Sequence, residues 1–156
     1  MPRPLLAQRA TFVTLTIGGQ LRGCRGSLIP HRPLFLDVAE NAMRSAFGDP
    51  RFPPLKLEEW ERLDFDISIL STPRRIACPS QAELVRSLRP DIDGLIIRAG
   101  ERQALLLPSV WKHIPDPAEF VRQLKLKSGF QEGEWPQSME AYRFVTESFG
   151  AAETRH

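Results

Sequence analysis

The residues of this 156-residue chain best suited to chemistry lie together, in Leu21-Arg22-Gly23-Cys24-Arg25-Gly26-Ser27. Glycine inside a strand costs stability and marks a bulge or a close backbone approach, and here two glycines flank a thiol. On an alternating strand Arg22, Cys24 and Gly26 share one face, and a cation two residues from a thiol favours the thiolate if that face is open. This reading makes Cys24 a reactive or substrate-contacting thiol, with Arg22 tuning it or holding an anionic substrate. The plainer reading makes Cys24 a small buried apolar residue and gives the glycines to sheet packing. Both stay open on chemistry alone.

Other chemistry has less support. Cys24 and Cys78 are far apart, His31, His113 and His156 are isolated, and no C-x-x-C, H-x-x-x-H or H-E-x-x-H spacing occurs, so neither a metal nor a cofactor is expected. No G-x-S-x-G elbow is present, and Ser109 has no identifiable base. His31, beyond a Leu-Ile-Pro turn, reads as a solvent-facing loop residue. Gly18-Gly19-Gln20 matches the tripeptide of peptide release factors, but Gly-Gly is also a default hairpin turn. Arg22, Arg25, Arg44 and Arg51 could gather into an anion pocket, or could pair with Asp37, Glu40 and Asp49. Trp60, Trp111 and Trp135 lie outside any basic repeat and read as core or rim residues, not as base-stacking platforms.

The elements that must position these residues follow from patterning. Thr11 to Ile17 and Leu21 to Leu28 form a hairpin across Gly18-Gly19. Leu34, Val38, Ala39, Ala42, Met43, Ala46 and Phe47 recur at helical spacing, with Asp37, Glu40, Asn41 and Arg44 between them, up to a stop at Gly48. Pro50, Pro53 and Pro54 force an extended or turning connection. Phe65 to Leu70 alternates as a half-buried strand closed by Pro73. Gln81 to Leu88 reads as a short helix. A second hairpin joins Leu95–Arg98 to Gln103–Leu107. Asp116-Pro117 caps a helix that runs to Ser128-Gly129, and Tyr142 to Phe149 alternates as a closing strand. Hairpins interleaved with helices predict an α+β fold with a largely antiparallel sheet and flanking helices. The expected organisation is an extension over residues 1–10, one domain over 11–150, and a tail over 151–156.

Composition narrows the class. A net charge of +2, 42% hydrophobic and 26% charged residues describe an ordinary globular chain and exclude a disordered one. No block of like charge favours nucleic acid or a membrane surface. The longest apolar runs fall far short of the roughly 20 residues that span a bilayer, and no secretory h-region opens the sequence. The expected compartment is the cytoplasm, with both cysteines as free thiols.

Read together, F-V-T-L at 12–15, L-R-G-C-R-G at 21–26, S-A-F-G-D-P-R-F at 45–52, I-S-I-L at 67–70, D-G-L-I-I at 93–97, L-P-S-V-W at 107–111 and L-K-L-K-S-G-F at 124–130 resemble the AMMECR domain, also called AmmeMemoRadiSam system protein A. The resemblance implies a larger and a smaller subdomain, with the hexapeptide near a surface cleft. It implies gene-neighbourhood association with a Memo-like protein and a radical S-adenosylmethionine protein, but no settled activity. It carries over Leu21, Arg22, Gly23, Cys24 and Gly26 as hallmark positions, with Asp49, Arg51 and Phe52 from the second block. Arg25 departs from the family's usual isoleucine, and the family's helix before the first strand has only about ten residues to occupy here.

Two functions of different class follow. The first is an accessory enzyme or modification factor using Cys24 and Arg22, with Gly23, Gly26, Ser27, Asp49, Arg51 and Phe52 forming the binding surface for a small-molecule or protein substrate. The second is a non-catalytic module whose Gly-Cys hairpin docks a partner, with Cys24 packed beneath and inert. RNA binding is a weaker third reading, because the charge excess is small and the aromatics are not interleaved with the arginines.

Overall fold

The structure is a computed structural model that describes residues 3–150; the expected tail at 151–156 lies outside them. Among the described residues, no helix is long and apolar enough to cross a membrane. The chain forms two compact units, one taking the sequence up to Ser71 together with the stretch from Glu147 on, the other taking Thr72–Thr146. Each is built on a four-stranded sheet, so the α+β class expected from the patterning is the fold observed.

In the first unit β1 (Thr11–Ile17) and β2 (Gln20–Gly26) form the hairpin, turned by Gly18 and Gly19 at positive φ of 58° and 80°. Only residues tolerant of the left-handed region fit both turn positions, so Gly-Gly serves the turn here. β3 (Leu63–Leu70) pairs with β1, and β8 (Thr146–Gly150) completes the order β2-β1-β3-β8. α2 (Leu34–Phe47) lies on β1 and β2 and ends at Gly48, as its spacing predicts. A 3-10 helix, Leu57–Arg62, leads into β3. The expected extension over residues 1–10 contains a one-turn helix, α1 (Arg3–Leu6). Its exit is tied down, because Ala7 accepts the Leu34 N–H and the Arg9 guanidinium donates twice to the Leu70 carbonyl.

In the second unit β4 (Arg74–Ile76), β5 (Gly94–Ala99), β6 (Arg102–Leu106) and β7 (Glu140–Phe144) are ordered β4-β7-β5-β6, all antiparallel. α3 (Gln81–Ser87) and α4 (Pro117–Lys127) are capped by Ser80 and Asp116, each accepting the backbone N–H three residues on. Leu84 and Leu88 meet Leu95, Ile97, Phe120, Val121 and Leu124 in a closed apolar core. Within it the rings of Trp111 and Phe120 stack at 3.9 Å. The expected single strand from Tyr142 to Phe149 is two strands, β7 and β8, parted at Val145 and belonging to different sheets.

Candidate functional site

The hexapeptide occupies β2, at the edge of the first sheet, and a bulge changes how its side chains are dealt. β1 residues Thr14 and Leu15 pair with Cys24 and Gly23, but Thr16 pairs with Leu21, so Arg22 is the extra residue. Strict alternation fails there. Cys24 therefore shares a face with Leu21, Thr14 and Thr16, while Gly23 joins the Val13 and Leu15 face under α2. The expected pairing of Arg22 with the thiol is not what the bulge delivers. Its guanidinium turns to the 3-10 helix, donating to Glu59 at 2.7 and 3.1 Å and to the Pro53 carbonyl at 2.8 Å. The Arg22 side chain is 10% exposed, and its Nη1 is buried without a partner. The pair with Arg22 draws the Glu59 carboxyl down from 4.5 to about 2, and the Lys56 N–H adds to it.

Both glycines are taken up by contacts inside the chain. A Cβ on Gly23 would stand 1.9 Å from the Ser45 carbonyl oxygen of α2, and one on Gly26 would strike the Phe12 ring at 2.3 Å. The close approach expected of these glycines is to the protein's own helix and ring. Cys24 is half-buried; its Sγ lies 3.3 Å from the Thr14 hydroxyl, and its N–H donates to Asp49 at 3.1 Å. Asp49 thus closes the exposed edge of β2. Arg51 grips the same carboxylate with its backbone N–H, Nε and Nη2, at 3.0, 3.0 and 2.7 Å, holding Asp49 well below the usual carboxylate range. Arg51 is in turn held charged, chiefly by Asp49 and to a smaller degree by the Cys24 sulfur. The Phe52 ring centroid lies 5.9 Å from the guanidinium of Arg22 and 5.5 Å from that of Arg51.

The arginines each have an acceptor within the chain. Arg25 donates to the Gly48 carbonyl, Arg44 to Asn41, Arg51 to Asp49 and Arg22 to Glu59. Ser27 is buried, with its hydroxyl on Asp37 and its N–H on the Thr11 carbonyl, so it belongs to the scaffold. His31 is exposed, with Nδ1 3.1 Å from the Ile29 carbonyl oxygen. Among the described residues, no group of three or more His, Cys, Asp or Glu side chains could hold a metal ion.

α2 departs most from its sequence reading. Asp37, Asn41 and Ser45, at i, i+4 and i+8, are buried against the hairpin, although the first two were expected on the solvent side. Asp37 accepts from Thr11, Ser27, Asn41 and Arg32, and Ser45 donates to the Val13 carbonyl. Burial pushes the Asp37 carboxyl up, but the donors around it outweigh that and hold it below its ordinary value. A polar seam thus glues helix to hairpin, and the apolar stripe of Val38, Ala42 and Ala46 is turned aside. It faces an open groove of about 590 Å³, floored by Val13, Leu15, Ile67 and Phe65 and walled by Leu55, Leu57 and Trp60. Met43, Phe47, Leu57 and Trp60 on its rim are 60, 53, 85 and 67% exposed. Lys56 is the one charged side chain in the lining.

The AMMECR1 family profile matches residues 1–149, nearly the whole chain. The chain belongs to the AMMECR1 family. A Thermotoga maritima protein is 37% identical over 152 residues, 96% of this chain and 82% of that one. A Methanothermobacter thermautotrophicus protein is 36% identical over 153 residues, covering 96% and 79%. The crystal structure of an uncharacterised protein from Pyrococcus horikoshii superposes with a TM-score of 0.89 at 35% identity, over 96% of this chain and 76% of that one.

In this AMMECR1-family chain the groove wall and its brace escaped the sequence reading. Glu59 is 37 residues from Arg22, and nothing local joins them. The available signal was its place three residues after Lys56, a capping position whose carboxylate receives the Lys56 N–H. Chemically, the Arg22–Glu59 pair fixes the 3-10 helix to β2, and Asp49, held by Arg51, fixes its loop to β2 through the Cys24 N–H. The groove offers a large apolar surface, and the Cys24 thiol has a hydroxyl beside it.

Proposed function

We propose that this AMMECR1-family protein is a non-catalytic binding module in which the hexapeptide is a frame and the surface it frames does the docking. The observation that carries this reading is the bidentate Arg22–Glu59 pair. It ties β2 to the 3-10 helix that presents Leu57 and Trp60 to the groove. Gly23 lets α2 close on the hairpin, and Asp49 and Arg51 secure the edge strand. Cys24 packs within this frame. The family resemblance nominates a Memo-like protein first, and a radical S-adenosylmethionine protein second, as the partner of such an accessory factor acting in the cytoplasm. Calorimetric titration with the purified Memo-like protein tests the reading. Cys24→Ser should leave the Kd within about twofold, and Glu59→Gln should weaken it about tenfold, as loss of a buried charge-pair partner does. The opposite pattern rejects it.

A second reading keeps Cys24 as a nucleophile, redox thiol or acceptor. It is favoured by the Thr14 hydroxyl at 3.3 Å and by the more than half-exposed guanidinium of Arg51, which shares the Asp49 carboxylate with the Cys24 N–H. Alkylation against pH in a Cys78→Ala variant tests it. Reaction faster than that of an unstructured cysteine peptide supports the activated thiol, and protection in the folded protein removes it.

A further inference from the structure

We propose that the groove beside α2 seats an amphipathic helix of the partner protein. That helix would bear apolar side chains at i, i+3 or i+4 and i+7, and an acidic side chain placed to meet Lys56. The proposal rests on the docking reading above and names the chemistry of the docked element.

The second unit shows what covering such a sheet requires. There α3 and α4 pack side by side, and with the 3-10 turn Pro108–Lys112, which carries Trp111, they exclude water from Leu95, Ile97 and Ala141. In the first unit α2 is placed over β1 and β2. On that same face, β3 offers Leu63, Phe65 and Ile67, set opposite Ile17, Leu15 and Val13 in register. A helix packs on a sheet by burying one apolar stripe, so a two-layer unit left with one bare strand face has room for a second helix. The open stripe on α2 runs from Val38 to Phe47, a length of about 14 Å at 1.5 Å per residue, which matches two and a half turns of a partner lying alongside. Helix-in-groove recognition needs a surface of that length and kind.

On the rim Leu57 and Trp60 stand 85 and 67% exposed, apolar surface that a docked helix would cover. Lys56 sets the polarity: as the one charged residue of the lining, it selects an acidic group at one point along the docked helix.

A display library of 14-residue helical peptides, with leucine fixed at four positions of one face and the remainder randomised, tests this directly. The bait is the full chain, and Trp60→Asp is the counter-bait, exposed enough to fold and checked by an unfolding midpoint equal to that of the parent. The expected result is peptides enriched at least about tenfold on the parent over Trp60→Asp, sharing an acidic position, and losing about tenfold in affinity to Lys56→Glu. Equal retention on both baits overturns the groove as the seat. Enrichment indifferent to Lys56→Glu overturns the acidic contact. A dimer of the parent in sedimentation that Trp60→Asp dissolves gives the groove to a second copy, and so does saturable, Trp60-dependent uptake of dodecanoate give it to an amphiphile; either overturns the partner helix. If the library fails while the Memo-like protein still binds in a Glu59-dependent way, the helix is wrong and the docking reading stands. If both fail, the docking reading falls too.

Discussion

Two sheets of equal strand number, each carrying helices, are filled in opposite ways. The second unit places Trp111, Phe120, Val121, Leu124, Leu84 and Ile97 in a core from which water is excluded, and its helices leave little of that core open. In the first unit the seam between α2 and the hairpin is polar, made by Thr11, Ser27, Asp37 and Asn41. Its apolar cluster on the sheet buries Val13, Leu15 and Ala46, and Ala10, Leu34 and Leu70 are buried elsewhere in the unit. Hydrogen bonds and an ion pair line the seam of α2 with its hairpin, where apolar contact fills the core under α3 and α4. The difference suggests a division of labour, since a helix fixed by polar seams can leave its apolar stripe available for binding.

The largest expected effect is in the closed core. Phe120→Ala should cost about 3–5 kcal/mol, because it removes a buried ring and the stack with Trp111. Denaturant unfolding measures it, and Leu57→Ala on the groove wall should stay within about 0.5 kcal/mol. Next comes Gly23→Ala, expected to cost about 3 kcal/mol. Its Cβ would meet the backbone carbonyl of Ser45, whereas one at Gly94 in the second unit would meet the Phe144 ring. If Gly94→Ala proves the costlier of the two, the frame assigned to Gly23 is wrong. Asp37→Ala should cost about 2–3 kcal/mol by leaving buried donors on Thr11, Ser27 and Asn41 without their acceptor. Asp37→Asn should cost less.

The smallest effect is on the brace, read through pH. The folded Glu59 carboxyl is depressed to about 2 from an ordinary 4.5. Its stabilising contribution is therefore complete above about 4.5 and is lost as pH falls from there toward about 2. Pepsin cleavage in the 54–62 stretch, normalised at each pH to that of an unstructured substrate, should rise over that window in the parent and be high and nearly flat in Glu59→Gln. A parent protein without that rise would show the pair to be unimportant to the wall.

What the sequence made legible was local. The β1–β2 hairpin carried Gly-Gly at its turn, α2 ended where Gly48 stands, and α4 opened on Asp116-Pro117; each depends on neighbouring residues alone. The orientation of α2 was not legible, because Asp37 and Asn41 four residues apart look like any solvent face. They become a buried seam only through Thr11 and Ser27 on the hairpin. Arg22 and Cys24 stand out in the sequence by type and spacing, but a bulge is a property of pairing with β1 and cannot be read from β2. The strand from Tyr142 to Phe149 alternates smoothly through Val145, and nothing in alternation tells that its halves join different sheets.

The central claim is that Arg22 serves the groove wall and not the thiol. Amide hydrogen exchange over residues 54–63 in the parent, Arg22→Gln and Cys24→Ser measures it, since the Leu55 N–H on the Ala46 carbonyl and the Lys56 N–H on Glu59 report the wall's closure. The account predicts exchange at least about tenfold faster in Arg22→Gln and unchanged in Cys24→Ser. Unchanged exchange in Arg22→Gln, or acceleration by Cys24→Ser alone, would contradict it.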